Sequence, residues 1–168
     1  LHYPEHSFPT RRSSDLIEAE RLIADSHDGV ATVTPTGDRV TDMILHACAG
    51  LPFPGYAGEI EPITPEMAWC HAVLSGGKLP ALNCKGLTGY ELCHAVFYAT
   101  DFARKPMVNL LAQAHILKQA TQDPDLLCEY GIALYAVGGL PTPEMIAAAQ
   151  APTTEHHEIV ARILKAIV

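Results

Sequence analysis

Apolar residues recur along most of the chain at intervals of three and four positions, which is the spacing of amphipathic helices. This pattern predicts helices in the segments 17–27, 38–50, 64–77, 87–102, 105–120, 123–139, 142–151 and 154–168. The only candidate for a strand is the short stretch GVATVTPTGD at 29–38. The pattern therefore predicts an all-α fold.

Residues that favour helix ends support these bounds. The string Thr-Pro-Glu at 64–66 has the preferred order of an N-cap, a first helical residue and an acid in the first turn. The same order recurs as Asp-Pro-Asp at 123–125, and glycine pairs at 76–77 and 138–139 end the two helices.

Short strings recur along the chain. TPEM occurs at 64–67 and 142–145, CHAV occurs at 70–73 and 93–96, and helix starts are expected near residues 88, 106, 124 and 142. Evenly spaced helices that each bury one apolar face predict antiparallel helix pairs stacked as an α/α solenoid or partial toroid. The alternative is that these strings are common helix punctuation without a structural repeat.

The N-terminal segment differs from the rest of the chain. Residues 7–16, SFPTRRSSDL, match the in-frame translation of a widely used sequencing adapter, and His6 continues the match. We therefore interpret residues 1–16 as a non-native, adapter-derived segment. Residues 17–168 are predicted to form a single all-helical domain, as a fragment of a longer chain.

The chain is acidic, with 11 Lys and Arg residues against 19 Asp and Glu residues and a formal net charge of −8. Without basic clusters, this balance disfavours nucleic acids and anionic membranes as partners. No apolar run approaches the roughly 20 residues of a membrane span. We expect a cytoplasmic protein whose partner is a small molecule or another protein.

The cysteines are odd in number, widely spaced and form no C-x-x-C pair: Cys48, Cys70, Cys84, Cys93 and Cys128. This pattern disfavours a zinc site or a disulfide framework. It is typical of small buried apolar residues in a reducing compartment.

The segment GYELCHAVFYATDFARKP, residues 89–106, carries an unusual set of ionisable side chains. At 100° per residue, they form one stripe on a helix: Tyr90, Glu91, His94, Tyr98 and Asp101. A solvated stripe would use Lys, Gln and Glu. Tyr, His, Asp and Glu are typical of a pocket wall or a buried hydrogen-bond network.

Neighbouring helices add candidates. Asp42 and His46 are four residues apart and can meet on one helix face. His71 lies in the apolar run MAWCHAVL, which predicts that it is buried, and Glu129 is the only charge in LLCEYGIALYAV. Buried carboxylates are costly unless they are paired, and His residues are their natural partners. His46 and Glu129 are therefore further candidates for the site.

Three interpretations of these residues remain open. In the first, His71, His94 and Glu129 are satisfied polar residues that fix helix packing. In the second, an Asp/Glu–His set lines a cleft and performs general acid/base chemistry on a small molecule. In the third, Glu91-x-x-His94 is half of a carboxylate/imidazole metal site, although the sequence lacks the second such motif of a di-iron bundle.

Other motifs carry less chemistry. The string EHHE at 155–158 is interpreted as an exposed helix start rather than a ligand set. Cys93 and His94 diverge by 100° on a helix, so their adjacency does not make a nucleophile–base pair. The sequence contains no Gly-rich phosphate loop, G-x-S-x-G elbow or Walker pattern.

At YELCHAVFYATDFARKP the sequence resembles a family of uncharacterised, mainly actinobacterial proteins. That family carries Tyr-Glu-Leu-Thr-His-x-Val-Phe-Tyr-x-Thr-Asp-Phe-Gly, followed by a segment similar to DLLCEYGIALYAVGGLP. Residues 90–102 fit this motif except at Cys93, where Thr is usual. The next residue, Ala103, stands where Gly is usual. The likeness extends over residues 38–150 and implies an α-helical, repeat-like domain of unknown function, sometimes associated with secondary metabolism. If the family's role depends on the Thr hydroxyl or on the Gly turn, these two departures put that role in doubt for this chain.

We therefore expect a small-molecule binding or acid/base pocket. In a catalytic version, His94 is the general acid or base, and Asp101 or Glu91 orients its imidazole. The substrate-binding candidates are Tyr98, Tyr90, His46 and Glu129. The rival is a protein-interaction scaffold in which the polar residues form a structural buried network. The sequence identifies no cofactor and leaves open whether the domain is an enzyme.

Overall fold

A computed structural model describes the backbone of residues 13–168 and the side chains of residues 16–168. Over these residues the secondary structure consists of helices without strands: α1 Ser13–His27, α2 Arg39–Ala49, α3 Pro65–Ser75, α4 Gly89–Ala99, α5 Leu110–Leu117, α6 Pro124–Ala136, α7 Pro143–Ala148 and α8 Glu155–Ile167. The predicted all-α class is confirmed. Among these helices, none combines the length and hydropathy that crossing a bilayer requires.

Side chains that favour helix starts cap the helices at the predicted positions. The side chains of Asp38, Thr64 and Thr142 each accept a hydrogen bond from a backbone N–H in the first turn of α2, α3 and α7. Pro65 begins α3, where its missing N–H costs nothing. Gly50 ends α2 in the left-handed conformation, with φ of 68°, which a glycine adopts without a Cβ clash.

The two helices predicted at 87–102 and 105–120 are shorter in the structure. Helix α4 ends at Ala99, and α5 begins only at Leu110. Pro106 removes one N–H donor and disfavours the helical region for the residue before it. Asn109 then caps α5, because its side chain accepts a hydrogen bond from a backbone N–H in the first turn.

The segment that precedes α5 is extended and bonds to the end of α6. The Met107 N–H donates to the Ala136 carbonyl at 2.8 Å, and the Asn109 N–H donates to the Val137 carbonyl at 3.0 Å. These long-range partners take the place of helical hydrogen bonds, which is why the local pattern overextended the helix.

The strand candidate at 29–38 has no regular secondary structure. The Asp42 carboxylate on α2 instead accepts hydrogen bonds from the Thr36 N–H at 2.8 Å and from the Thr36 hydroxyl at 2.7 Å. A strand needs a second strand to pair its backbone groups, and residues 13–168 contain no strand.

The chain folds into two compact units, unit 1 up to Pro80 and unit 2 from Ala81 to Val168. In unit 1, α2 packs against α1 and α3. In unit 2, α6 packs against α4, α5, α7 and α8, which makes it the central helix of that unit. Its position explains why α6 is apolar all round.

Two predictions on chain organisation remain predictions: the single domain over residues 17–168 and the non-native origin of residues 1–16. Residues 1–12 lie outside the described part of the chain. Helix α1 begins at Ser13, which is inside the segment interpreted as adapter-derived.

The five cysteines are free and buried: Cys48, Cys70, Cys84, Cys93 and Cys128. Burial raises the pKa of the Cys70 and Cys128 thiols to about 12, so both are uncharged near neutral pH. The interpretation of these residues as small buried apolar groups is confirmed, whereas the reducing compartment remains a prediction.

Candidate functional site

Glu129 is a buried carboxylate at the centre of unit 2. It lies near the middle of α6, and only 2% of the residue is exposed. Its Oε1 lies 3.7 Å from Nε2 of His94 on α4, and its Oε2 lies 3.3 Å from Nε2 of His156 on α8. We call Glu129, His94 and His156 the carboxylate–imidazole cluster. One carboxylate thus links side chains from three helices.

The two imidazoles of this cluster offset the free-energy cost of burying the Glu129 carboxylate. A buried carboxylate without donors would be strongly destabilising, and each imidazole nitrogen facing it can supply a proton. The pairing of Glu129 with histidines, which its place in an apolar helix predicted, is found in the structure. His94 and Glu129 are the two sequence-predicted site residues that it joins directly.

His94 lies on α4 among aromatic rings. Its ring centroid is 6.5 Å from that of Tyr90, 6.1 Å from that of Phe97 and 6.2 Å from that of Tyr98. The His94 side chain is 13% exposed, against 3% for the Glu129 side chain and 9% for that of His156. Within the cluster, His94 is therefore the member most accessible to solvent.

The third member, His156, corrects the interpretation of EHHE as an exposed helix start. These four residues do begin α8, and Glu155 and Glu158 are exposed. However, His156 is only 8% exposed and His157 only 1%. The apolar spacing of α8 contains the missed signal, because His156 shares a face with residues three, four, seven and eight positions later.

His157 has a structural role that its hydrogen bonds define. Its Nδ1 accepts from the Thr153 N–H at 3.1 Å, and its Nε2 lies 2.6 Å from the Ala148 carbonyl. A nitrogen that accepts carries no proton, so we assign the neutral tautomer with the proton on Nε2. The approach of Nδ1 to the Asp125 carboxylate at 3.5 Å is then not an ion pair.

Cys93, beside His94 in sequence, is fully buried on α4. Burial, followed by the nearby Glu129 charge, raises the pKa of the Cys93 thiol well above its usual value. A thiol in this state is a poor nucleophile at neutral pH, because the thiolate is the reactive form. Its role here is packing.

Tyr90 connects α4 to the start of α6. Its hydroxyl donates to the Asp123 carboxylate at 2.9 Å, and Asp123 also caps α6. Burial is the main cause that strongly raises the pKa of Tyr90, and this hydrogen bond is the second. Tyr90 is thus a neutral hydrogen-bond donor with a fixed partner.

The predicted stripe on α4 is divided in the structure. Glu91 is exposed in the first turn of the helix, and Tyr98 is 6% exposed. Asp101 lies beyond the end of α4, so its predicted helical angle does not apply. The Asp101 carboxylate pairs with the Arg104 guanidinium at 2.6 Å. The stripe therefore does not form one continuous buried wall.

His46 and His71 belong to unit 1. The His46 Nδ1 lies 2.7 Å from the Asp42 backbone carbonyl, so the predicted meeting of these residues involves the backbone. His71 is half-buried, and its Nδ1 lies 2.6 Å from the Tyr56 hydroxyl. Each histidine thus has a local hydrogen-bond partner on the described chain.

Within the described residues, no group of three or more His, Cys, Asp or Glu residues is arranged to hold a metal ion. Glu91 is exposed in α4, while the His94 Nε2 faces the buried Glu129 carboxylate. The geometry therefore gives no support to the Glu91-x-x-His94 metal alternative.

Comparison with known families places these helices in context. Residues 56–154, more than half of the chain, match a family described as a domain of unknown function, DUF6895. The chain belongs to this family. The matched region of this DUF6895 protein contains α3 to α7, including His94 and Glu129, and ends before His156. No curated protein and no solved structure matches the chain.

Proposed function

We propose that unit 2 of this DUF6895 protein binds a small molecule at His94 and exchanges a proton with it. One observation carries the proposal: the buried Glu129 carboxylate faces Nε2 of an imidazole that retains contact with solvent. A buried carboxylate behind an accessible imidazole is a common arrangement for orienting a general acid or base.

In this proposal Glu129 orients the His94 ring, the role that the helical pattern assigned to Asp101 or Glu91. His156 holds the second Glu129 oxygen and so limits rotation of the carboxylate. Tyr90 and Tyr98 flank the His94 ring, where they would contact a bound molecule. Imidazole suits proton exchange because its ordinary titration range lies near neutral pH.

The test is a fragment screen followed by NMR at the His94 ring. Protein labelled with ¹³C in its histidine rings is titrated with small 2-oxo acids, amides and phosphate esters. We expect at least one class to shift the His94 ring resonances in a saturable manner. His94→Gln and Glu129→Gln should weaken that binding, while the same change at the half-buried His115 on α5, the matched control His115→Gln, should not.

Two outcomes would reject this proposal. The first is that none of the three classes perturbs His94 at millimolar concentration. The second is that His94→Gln, with its fold verified by circular dichroism, binds the same fragments as the wild type.

A second function, a scaffold for protein association, is favoured by the apolar surface on and beside α5. The exposed side chains are Val108 (79%), Leu110 (73%), Leu111 (68%), Leu117 (55%) and Leu140 (86%). Exposed apolar groups of this number often mark an interface. In this case the carboxylate–imidazole cluster is structural: it joins α4, α6 and α8, and α5 packs against α6.

The occupant that we assign to this surface is a second copy of the chain. Helix α5, with the sequence LLAQAHIL, contains no charged residue, so two copies can approach there despite the net charge of −8. Light scattering coupled to size exclusion should show a concentration-dependent dimer. Leu110→Gln with Leu111→Gln should abolish it, and Ile63→Gln, a 75% exposed control in unit 1, should not. A monomer at all concentrations would contradict the scaffold.

The stacking of helix pairs as a solenoid or partial toroid, the cytoplasmic location and the fragmentary nature of the chain remain proposals from the sequence.

A further inference from the structure

Unit 1 contains a cleft of about 320 Å³ beside α2 and α3. It is lined by Val40, Ile44, Glu59, Ile60, Glu61, Met67 and Cys70. A volume of this size is at the lower end of the range of ligand sites in proteins. At about 30 Å³ per water molecule, it corresponds to roughly ten waters. The cleft therefore suits one small ring or a short hydrocarbon chain.

The wall of the cleft is apolar apart from two carboxylates. Val40, Ile44, Ile60 and Met67 contribute hydrocarbon or thioether surface. Cys70 is uncharged near neutral pH because burial raises the pKa of its thiol to about 12. No Lys, Arg or His is among the lining residues. The chemistry of the cleft thus combines an apolar interior with negative charge.

The two carboxylates differ in their partners. Glu59 accepts a hydrogen bond from the Ala57 N–H and pairs with Arg39, whose Nε lies 2.8 Å from Glu59 Oε2. These contacts, the Ala57 hydrogen bond first, lower the pKa of Glu59. By contrast, the exposed Glu61 carboxylate has no hydrogen bond or ion pair among the described residues.

Arg39 is held in place by further contacts. Its Nη2 donates to the Gly55 carbonyl at 3.0 Å, and its guanidinium lies 5.0 Å from the centroid of the Phe53 ring. Because these contacts keep Arg39 at Glu59, its charge offsets Glu59 rather than Glu61. The carboxylate available to a ligand is therefore Glu61.

We propose that this cleft binds a small hydrocarbon amine, with the hydrocarbon against Val40, Ile44 and Met67 and the ammonium group at Glu61. Charge complementarity selects the cation, and the apolar lining selects its hydrocarbon part. The inference concerns unit 1 and is independent of the function proposed for His94.

The test compares three probes of equal chain length by NMR titration at pH 7: n-hexylamine, 1-hexanol and hexanoate. We expect saturable shifts at the methyl groups of Val40, Ile44 and Met67, with n-hexylamine bound about two- to fivefold more tightly than 1-hexanol, the range of an exposed ion pair. Hexanoate should bind most weakly because the site is acidic.

Two variants localise the effect. Glu61→Gln should reduce the affinity for n-hexylamine to that for 1-hexanol, while Glu144→Gln, an exposed control in unit 2, should change neither. Val40→Trp should block both probes by filling the cleft, and Val40 is 53% exposed, so the larger side chain need not enter the core.

The proposal is overturned if n-hexylamine gives no saturable shift below about 10 mM, or if 1-hexanol binds equally well. It is also overturned if Val40→Trp, with its helical content intact, binds as the wild type does. Unchanged binding by His94→Gln is expected, which separates this experiment from the test of the unit 2 site.

Discussion

Three consecutive residues after α4 have left-handed backbone conformations although none is glycine. The φ angles are 51° for Asp101, 54° for Phe102 and 65° for Ala103. Each such residue costs roughly 1–2 kcal/mol relative to right-handed geometry. The Phe102 N–H compensates by donating to the Phe97 carbonyl at 2.7 Å, and Arg104 pairs with Asp101. A hydrogen bond and an ion pair within residues 97–104 therefore stabilise a turn that the intrinsic backbone preference of these residues opposes.

Ala103→Gly should stabilise the protein. Glycine removes the Cβ clash at φ of 65°, while its greater freedom in the unfolded chain and the loss of the buried Ala103 methyl group offset much of that gain, so we expect up to about 0.5 kcal/mol in urea unfolding. The matched control Ala147→Gly, at an exposed position within α7, should lose about 1 kcal/mol. Equal destabilisation by both changes would show that the turn is not strained at residue 103.

Glu129→Gln should destabilise unit 2 by about 1–3 kcal/mol, because the buried His156 imidazole and the partly exposed His94 imidazole lose their anionic acceptor while the shape is kept. Glu91→Gln, the same change at an exposed position, should alter the free energy of unfolding by less than about 0.5 kcal/mol. Double-mutant cycles of Glu129→Gln with His94→Gln and His156→Gln measure the coupling. Additive effects would mean that the cluster carries no interaction energy.

At the scale of helices, the capping pattern located most elements. The caps at Asp38, Thr64 and Thr142 start helices where they were expected, because a cap acts on backbone groups within its own turn. Local information did not locate the end of α4 or the start of α5. There, the extended segment bonds to the end of α6, far along the chain.

The candidate site was partly predictable for the same reason. Glu129 was identified because a lone charge in an apolar helix needs a buried partner. His156 was missed because two flanking glutamates made its segment resemble a solvated helix start. Asp101 was placed on the stripe because Thr100 to Ala103 contain no glycine or proline that would signal a left-handed turn.

Helix α6 approaches its neighbours closely at Gly131. A Cβ placed there would lie 3.0 Å from Cδ2 of Leu164 on α8 and 3.3 Å from Cβ of Met145 on α7. Leu164 is 1% exposed and has little room to move. The absence of a side chain thus sets the distance between α6 and α8.

Gly131→Ala should therefore destabilise unit 2 by about 1 kcal/mol, even though alanine is the better helix former by a similar amount. Urea unfolding measures the change. Leu164→Val should reduce the loss in a double-mutant cycle, because the shorter side chain relieves the contact. A stabilising Gly131→Ala would show that Leu164 can move away freely.

At the scale of the whole molecule, buried thiol and phenol groups make the free energy of unfolding depend on pH in the alkaline range. Burial raises the pKa of Tyr130 and of Cys128 to about 12. In the unfolded chain these groups ionise near pH 10.0 and 9.0. A raised folded pKa contributes stability that is fully present below the unfolded pKa and is lost as pH rises through the folded pKa.

We expect the free energy of unfolding to fall from about pH 9 towards pH 12, since the unfolded state releases these protons first. Between pH 9 and 10.5, Cys128→Ala should make that fall less steep, because the variant releases up to one proton fewer on unfolding. Below pH 8 the difference between variant and wild type should be constant. An unchanged slope above pH 9 would mean that Cys128 ionises equally in both states.

The five buried cysteines also allow local opening of the chain to be measured by thiol modification. An alkylating reagent reaches such a thiol only when the surrounding segment transiently opens, so each modification rate reports the opening of one place. The modification rates of Cys48 and Cys70 would report opening in unit 1, and those of Cys93 and Cys128 would report opening in unit 2. Mass spectrometry of peptides from a single alkylation series would thus rank the two units by how often each exposes its interior.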